Sequence, residues 1–245
     1  MQKSVFLLLV LVVLCACGHQ SQRVTGCTTE AIRIDASLDG IQDAAYIAQL
    51  TPVKAVLERE MNVQIGYAPE NMWVRDPECP MLNWASDALW EAAKKAYPGK
   101  VDIAIVNMGG MRCSWQAGPI TKGNVFELMP FDNRLVVLTL KGSDIKALCE
   151  SFATYGGQGV AGMRVKTKGG KLVEVKVGGK PLDLYKNYTV ATSDYLSGGT
   201  DHMEALTRYT DYWNSDLLIR ELYLEAVREQ DTVRAAVDGR MTMLP

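Results

Sequence analysis

The sequence predicts an α+β domain built around a mixed sheet. Three observations lead there. Helical and strand-like patterns interleave along residues 31–245 without the strict alternation that a doubly wound parallel sheet requires. Two glycine pairs, Gly169-Gly170 and Gly178-Gly179, punctuate strand-like runs and read as hairpin turns, which implies antiparallel pairing. The strongest helical pattern, residues 80–97, leads directly into the apolar strand-like run Val101-Asp102-Ile103-Ala104-Ile105-Val106.

Taken in order, residues 46–61 carry Ile47, Leu50, Val53, Val56 and Leu57 at helical spacing, on one side. Val63-Gln64-Ile65-Gly66 alternates as a short strand. In the helix over 80–97, Met81, Trp84, Ala85, Ala88, Leu89 and Ala92 form an apolar stripe. Pro80 suits its first position, and Pro98-Gly99 stops it. Residues 121–128 read as a short helix with Thr121 as its N-cap. Residues 134–141, rich in valine and leucine, read as a strand. Gly142-Ser143-Asp144 then opens a helix through Ile145, Leu148, Cys149 and Phe152. Strands are predicted over 160–168, 172–177 and 188–192, one long amphipathic helix over 212–230, and a last strand over 240–244.

The first 16 residues have the pattern of an export signal: Lys3 near the start, then an unbroken apolar run from Val5 to Leu14. That run is too short to span a bilayer comfortably. It ends Leu14-Cys15-Ala16-Cys17-Gly18, where a small residue before a cysteine has the form of a bacterial lipobox, with Cys17 as the acylated residue. The alternative is an ordinary cleaved signal with incidental cysteines. Residues 17–30 are polar and read as a lipidated tether, and 31–245 as one folded domain. The expected location is therefore periplasmic or cell-surface, with the membrane contacted through the lipid anchor. A formal net charge of −2 argues against a nucleic-acid surface. Beyond the leader, Cys27, Cys79, Cys113 and Cys149 are widely spaced without a Cys-x-x-Cys pair, which argues against structural zinc.

Chemistry-bearing residues concentrate in 107–133 and 195–202. Asn107-Met108-Gly109-Gly110-Met111-Arg112 follows the Val101 run. A strand ending in Asn-x-Gly-Gly offers backbone N–H groups and one fixed cation, suited to an anionic or polar ligand. Arg112 can pair with phosphate or carboxylate in bidentate fashion. The bland alternative is a glycine turn with a solvated arginine. Pro130-Phe131-Asp132-Asn133 and Tyr195-Leu196-Ser197-Gly198-Gly199-Thr200-Asp201-His202 each place an aromatic near a strand end, followed by a carboxamide or carboxylate. Two such rings suit a planar base; the alternatives are core packing for Phe131 and a loop anchor packed on the sheet for Tyr195. There are only two histidines, His19 in the tether and His202 in the domain. One histidine does not furnish a two-metal phosphatase centre, and no Gly-x-Ser-x-Gly elbow presents a nucleophilic serine.

Four segments together resemble the C-terminal, substrate-recognition domain of the 5′-nucleotidase family. These are Glu78-Cys79-Pro80-Met81-Leu82-Asn83-Trp84-Ala85-Ser86-Asp87-Ala88, the Asn107–Arg112 hexapeptide, the stretch from Gly118-Pro119-Ile120-Thr121 to Pro130-Phe131-Asp132-Asn133, and residues 192–201. The resemblance implies a layered α/β/β/α domain. It implies that Arg112 meets the phosphate or polar end of a nucleotide and Asn107 the base or ribose. Phe131 and Tyr195 would sandwich the base and Asp201 would bind ribose hydroxyls. Gly109, Gly110 and Asn133 complete the binding set, and Arg75 matches a further ligand arginine. Leu82 and His202 stand where the family has glycine, and an extra residue precedes Asp201.

Family enzymes also carry a metallophosphatase domain whose Asp-x-His and Gly-Asn-His motifs do not occur in this sequence. A mature chain beginning at Cys17 leaves no room for it. The sequence therefore implies no catalytic residue and no cofactor in this chain. Divalent metals are expected in a separate metallophosphatase partner. The alternative is a non-catalytic lipoprotein that binds nucleosides or nucleotides.

Overall fold

A computed structural model describes residues 23–38 and 40–245. The leader over 1–16, the lipidation site Cys17 and His19 lie outside the described residues. The chain divides into two units, Met1–Gln49 and Leu50–Pro245. In the first, the described residues are exposed; they include a 3-10 turn at Ala36–Leu38. There the Asp43 carboxylate accepts from the N–H groups of Ala45 (2.9 Å) and Tyr46 (3.1 Å), an N-cap that starts helix α1, Ala44–Met61. Helical spacing identifies this helix, but none of its residues is buried, and Leu50, Val53, Val56 and Leu57 are exposed.

The second unit contains β1 (Gln64–Ala68), α2 (Pro80–Ala96), β2 (Ile103–Val106), β3 (Gly118–Thr121) and α3 (Lys122–Leu128). Then come β4 (Arg134–Lys141), α4 (Gly142–Tyr155), β5 (Gly159–Ala161), β6 (Met163–Lys168), β7 (Lys171–Val177) and β8 (Lys180–Pro181). The chain closes with β9 (Asn187–Ser193), α5 (Asp194–Ser197), β10 (Asp211–Leu218), α6 (Ile219–Gln230) and β11 (Met241–Leu244). The central sheet has the order β10-β4-β9-β2-β5 and is mixed: β2 and β9 run parallel, while the other pairs are antiparallel. A second mixed sheet runs β11-β6-β7-β8, and β1 pairs with β3. The mixed α+β class is the one the sequence predicts.

Strand alternation builds two cores, one on each face of the central sheet. Ala104, Val106, Leu135, Val137 and Ala191 meet α2 and α6. Ile103, Ile105, Val136, Leu138 and Val190 meet α4 and the second sheet. Each fully buried aliphatic side chain contributes about 1.5–3 kcal/mol, so α2, α6, α4 and the second sheet are bound to the central sheet chiefly by area.

Two sequence expectations change. The strand read over 160–168 breaks at Gly162, whose φ of 71° is left-handed. A Cβ there would run into the Asp102 carbonyl. The break lets β5 stay in the central sheet while β6 enters the second. The long helix read over 212–230 is β10 followed by α6. Tyr212 and Trp213 pair with Leu138 and Val137, and the buried Ser215 hydroxyl donates to the Leu135 carbonyl (2.7 Å). Tyr-Trp-Asn-Ser-Asp is a run of weak helix formers, so an available sheet edge wins.

Candidate functional site

Register places the candidate loops. Leu135 lies opposite Ser193, Val106 opposite Gly159, Ala104 opposite Ala191 and Leu218 opposite Arg134. The C-terminal ends of β2, β9 and β10 therefore share one end of the central sheet with the starts of β4 and β5. Asn107 follows β2, Asp194 follows β9, and Asn133 precedes β4. Residues up to 94 apart in sequence meet there.

Asp201 is the centre of the cluster. Asn107 Nδ2 donates to its Oδ2 and the Tyr195 hydroxyl donates to its Oδ1 (3.2 Å). Asn107 is buried at 7% exposure, whereas Asp201 and Tyr195 are exposed. Asp201 and His202 both have left-handed backbones, φ 53° and 61°. Non-glycine residues occupy that region only when neighbours hold them. Two contacts do so: the Ser151 hydroxyl donates to the His202 carbonyl, and the His202 ring stacks on Tyr155 with centroids 3.8 Å apart at 7°. This accounts for a histidine at a position where glycine is the simpler choice. His202 is thus a loop anchor.

The two glycines differ. A Cβ on Gly110 would lie 2.6 Å from Asn107 Oδ1, so glycine is needed there to seat the asparagine. A Cβ on Gly109 would make ordinary contact, 3.6 Å from Asp201 Oδ2. The sequence expectation of available N–H groups at this strand end narrows to Gly109, because four neighbouring N–H groups are engaged. The turn at Met108–Gly110 uses Gly110 N–H on the Asn107 carbonyl (3.2 Å) and Met111 N–H on the Met108 carbonyl (3.0 Å). Met108 N–H goes to Gln158 Oε1 (2.7 Å) and Arg112 N–H to the Leu128 carbonyl (2.9 Å). Cationic character at this loop comes from the exposed Arg112 side chain, which donates to the Gly109 carbonyl (3.1 Å).

The loop bearing Phe131 and Asn133 is tied in from two sides. Asp194 Oδ1 accepts from Arg134 N–H (3.0 Å) and Tyr195 N–H (2.8 Å), joining the starts of the two aromatic-bearing segments. Arg220, 9% exposed on α6, donates to the Phe131 carbonyl (3.1 Å) and pairs with Asp132 (2.5 Å). The Phe131 and Tyr195 rings stay outside the core, at 39% and 45% exposure. Arg75 is exposed, and the adjacent Asp76 accepts from Gly157 N–H (2.6 Å), one residue before Gln158. Its loop therefore reaches the same sheet end.

The motif at 78–88 stands apart. Glu78, 7% exposed, accepts from Asn83 Nδ2 (2.7 Å) and from the N–H groups of Asp238 (2.9 Å), Gly239 (3.2 Å) and Met241 (3.3 Å). Asn83 also donates to the Ala236 carbonyl (2.9 Å), and Asp87 pairs with Arg240 (2.7 Å). This segment fastens the C-terminal stretch to α2. Gln158, Asp194 and Arg220 are the site residues that sequence reading misses. The Gly156-Gly157 pair before Gln158 is the only local signal among them. Among the described residues, no group of three or more His, Cys, Asp or Glu side chains is arranged to hold a metal ion.

The sequence profile described as the C-terminal domain of 5′-nucleotidase matches residues 62–208, more than half of the chain. The chain belongs to that family. It is 25% identical over 222 residues to a 5′-nucleotidase of Vibrio cholerae, covering 86% of this chain and 40% of that protein. It is 27% identical over 201 residues to the UshA protein of Escherichia coli, covering 80% of this chain and 36% of that one. Among solved structures, the 5′-nucleotidase precursor of Thermus thermophilus superposes with a TM-score of 0.72 at 28% identity, over 82% of this chain and 42% of that chain. The chain thus spans less than half the length of these relatives. The match covers the Asn107, Phe131 and Tyr195 segments together.

Proposed function

We propose that this domain recognises a nucleotide or nucleoside and presents it to a dimetal phosphatase encoded as a separate chain, in nucleotide catabolism. The observation that carries the reading is the Asp201 cluster. One carboxylate is held by Asn107 and Tyr195, with the Tyr195 and Phe131 rings and the Arg112 guanidinium exposed at the same sheet end.

Each group has a role that suits a nucleotide. The two rings stack on the base, worth about 1–3 kcal/mol per base contact. Asp201 accepts from ribose hydroxyls, which exchange with the Tyr195 hydroxyl. Arg112 pairs with the phosphate, and Asn107 and Asn133 supply edge hydrogen bonds. Arg75 is a second cation for the ligand's polar end. The partner's metals would supply the activated water; this chain would bind, orient and exclude. Export and lipid anchoring at Cys17, on a periplasmic or cell-surface face, complete the proposal.

The test is titration calorimetry of the purified chain with AMP and adenosine, alongside phosphate release from AMP with added Mn or Zn. Both ligands are expected to bind, with phosphate released only after a dimetal phosphatase chain is added. Robust turnover by this chain alone would overturn the division of labour. Absence of binding would overturn the recognition role.

A further inference from the structure

The end of the central sheet opposite the Asp201 cluster carries a second concave surface. It lies where α2 gives way to β2, beside β8 and the start of β9, and encloses about 800 Å³. Lys94, Lys100, Lys180 and Lys186 line it, against two carboxylates, Asp102 and Asp183. That is a surplus of positive charge on a chain whose net charge is −2.

Both carboxylates are already engaged. Asp102 accepts from Lys100 Nζ (2.5 Å) and from Thr189 N–H (3.2 Å). Burial works against its ionisation, but the Lys100 ammonium and Thr189 outweigh it and hold the carboxyl below the usual range. Asp183 accepts from Tyr185 N–H (2.9 Å). Two of the exposed ammoniums lie over aromatic rings. Lys94 Nζ lies 3.3 Å from the Trp90 centroid and Lys186 Nζ 4.8 Å from the Tyr188 centroid. Lys94 also pairs with Glu91 outside the cleft lining (2.8 Å). The rings are themselves fixed. The Trp90 indole donates to the Val101 carbonyl (3.1 Å), and the Tyr188 hydroxyl accepts from Asp183 N–H (3.0 Å).

We propose that this cleft binds a multiply charged phosphate-bearing anion, at a site independent of the nucleotide loops. Lysine ammoniums are compact point charges with rotatable donors, so a cluster of them suits tetrahedral phosphate oxygens from several directions. The apolar and aromatic floor excludes water on one side and strengthens each contact. The same chemistry is offered by a soluble oligophosphate and by the headgroups of an anionic lipid surface. The proposal does not rest on the nucleotide reading, because the two sites lie at opposite ends of β2 and β9.

Calorimetry of the full chain with inorganic tripolyphosphate tests it, with co-sedimentation on vesicles of phosphatidylcholine and phosphatidylglycerol as the second arm. Exposed ion pairs are each worth roughly twofold to fivefold. The triple variant Lys94→Gln, Lys180→Gln, Lys186→Gln is therefore expected to weaken binding by about tenfold or more. Added salt is expected to weaken it in the unmodified chain. Lys180→Glu, on an exposed two-residue strand, gives a second measure that leaves the fold intact. Binding of tripolyphosphate assigns a soluble ligand; lysine-dependent binding of vesicles alone assigns the headgroup. Equal affinity of the triple variant, or no binding to either probe, would overturn the proposal.

Discussion

Glu78 and Asp201 are both carboxylates that gather hydrogen bonds, and they serve opposite ends. Glu78 is buried, and three of its four donors are backbone N–H groups of the C-terminal segment. Those donors cannot turn away without moving the chain. Asp201 is exposed, and its donors are the side chains of Asn107 and Tyr195. Side-chain donors can exchange for a ligand hydroxyl at little backbone cost. Two segments that both carry the family resemblance, one at 78–88 and one at 195–201, thus divide into a structural fastening and the surface proposed for recognition.

The comparison is broken most directly at Glu78. Glu78→Ala leaves two buried donors, Asn83 Nδ2 and Met241 N–H, and two part-buried N–H groups without this acceptor, each buried one costing about 1–3 kcal/mol. Destabilisation of about 3 kcal/mol or more is expected from the urea midpoint. A loss below about 1 kcal/mol would show that water replaces the carboxylate and that the fastening is not structural. Substitutions at the other region should act on binding instead. Phe131→Ala and Tyr195→Ala are each expected to weaken AMP binding by about tenfold, within the range for one stacked base, with the urea midpoint little changed. Tyr195→Phe retains the ring and removes only the hydroxyl that ribose is proposed to displace from Asp201, so a change in AMP binding below about 0.5 kcal/mol is expected. Wild-type affinity in both alanine variants would reduce this surface to scaffold.

The smallest effect sharpens the comparison through pH. Asp238 sits in the segment that Glu78 fastens. The hydrogen bond from Arg240 holds its carboxyl below the ordinary value of 3.8, against a smaller effect of burial. A carboxyl depressed in the folded state adds stability above its unfolded value, and that contribution fades as the pH falls through the folded value. Asp238→Asn should therefore lower the urea midpoint slightly at neutral pH, with the gap to wild type closing as the pH drops below 3.8. A gap that persists in strong acid would assign the effect to packing.

Much of this was legible in the sequence because it is local. Thr121 caps α3 in the predicted way, accepting from Asn124 N–H (3.2 Å) while Asn124 Oδ1 accepts from Thr121 N–H (2.9 Å). The glycine pairs 169–170 and 178–179 all take positive φ at hairpins. The candidate residues Asn107, Tyr195 and Asp201 come together because parallel β2 and β9 end side by side. What escaped is non-local. β10 exists because β4 offers an edge 70 or more residues earlier, and no periodicity within 211–218 reports that. Arg220 reads as one charge on an amphipathic helix. Its role is set by the Phe131 carbonyl, 89 residues away. Lys94 and Lys186 likewise share a cleft only because β2 and β9 begin together.

The single Asp194 oxygen that receives both Arg134 and Tyr195 has a thermodynamic consequence. Two loops that each carry an aromatic ring would otherwise wander separately, and a ligand would have to order both on arrival. One shared acceptor couples their motion before anything binds, so much of the ordering entropy is already spent on folding. If the proposed site binds as argued, its affinity depends on a residue that need not touch the ligand, and is gained by restricting the empty site.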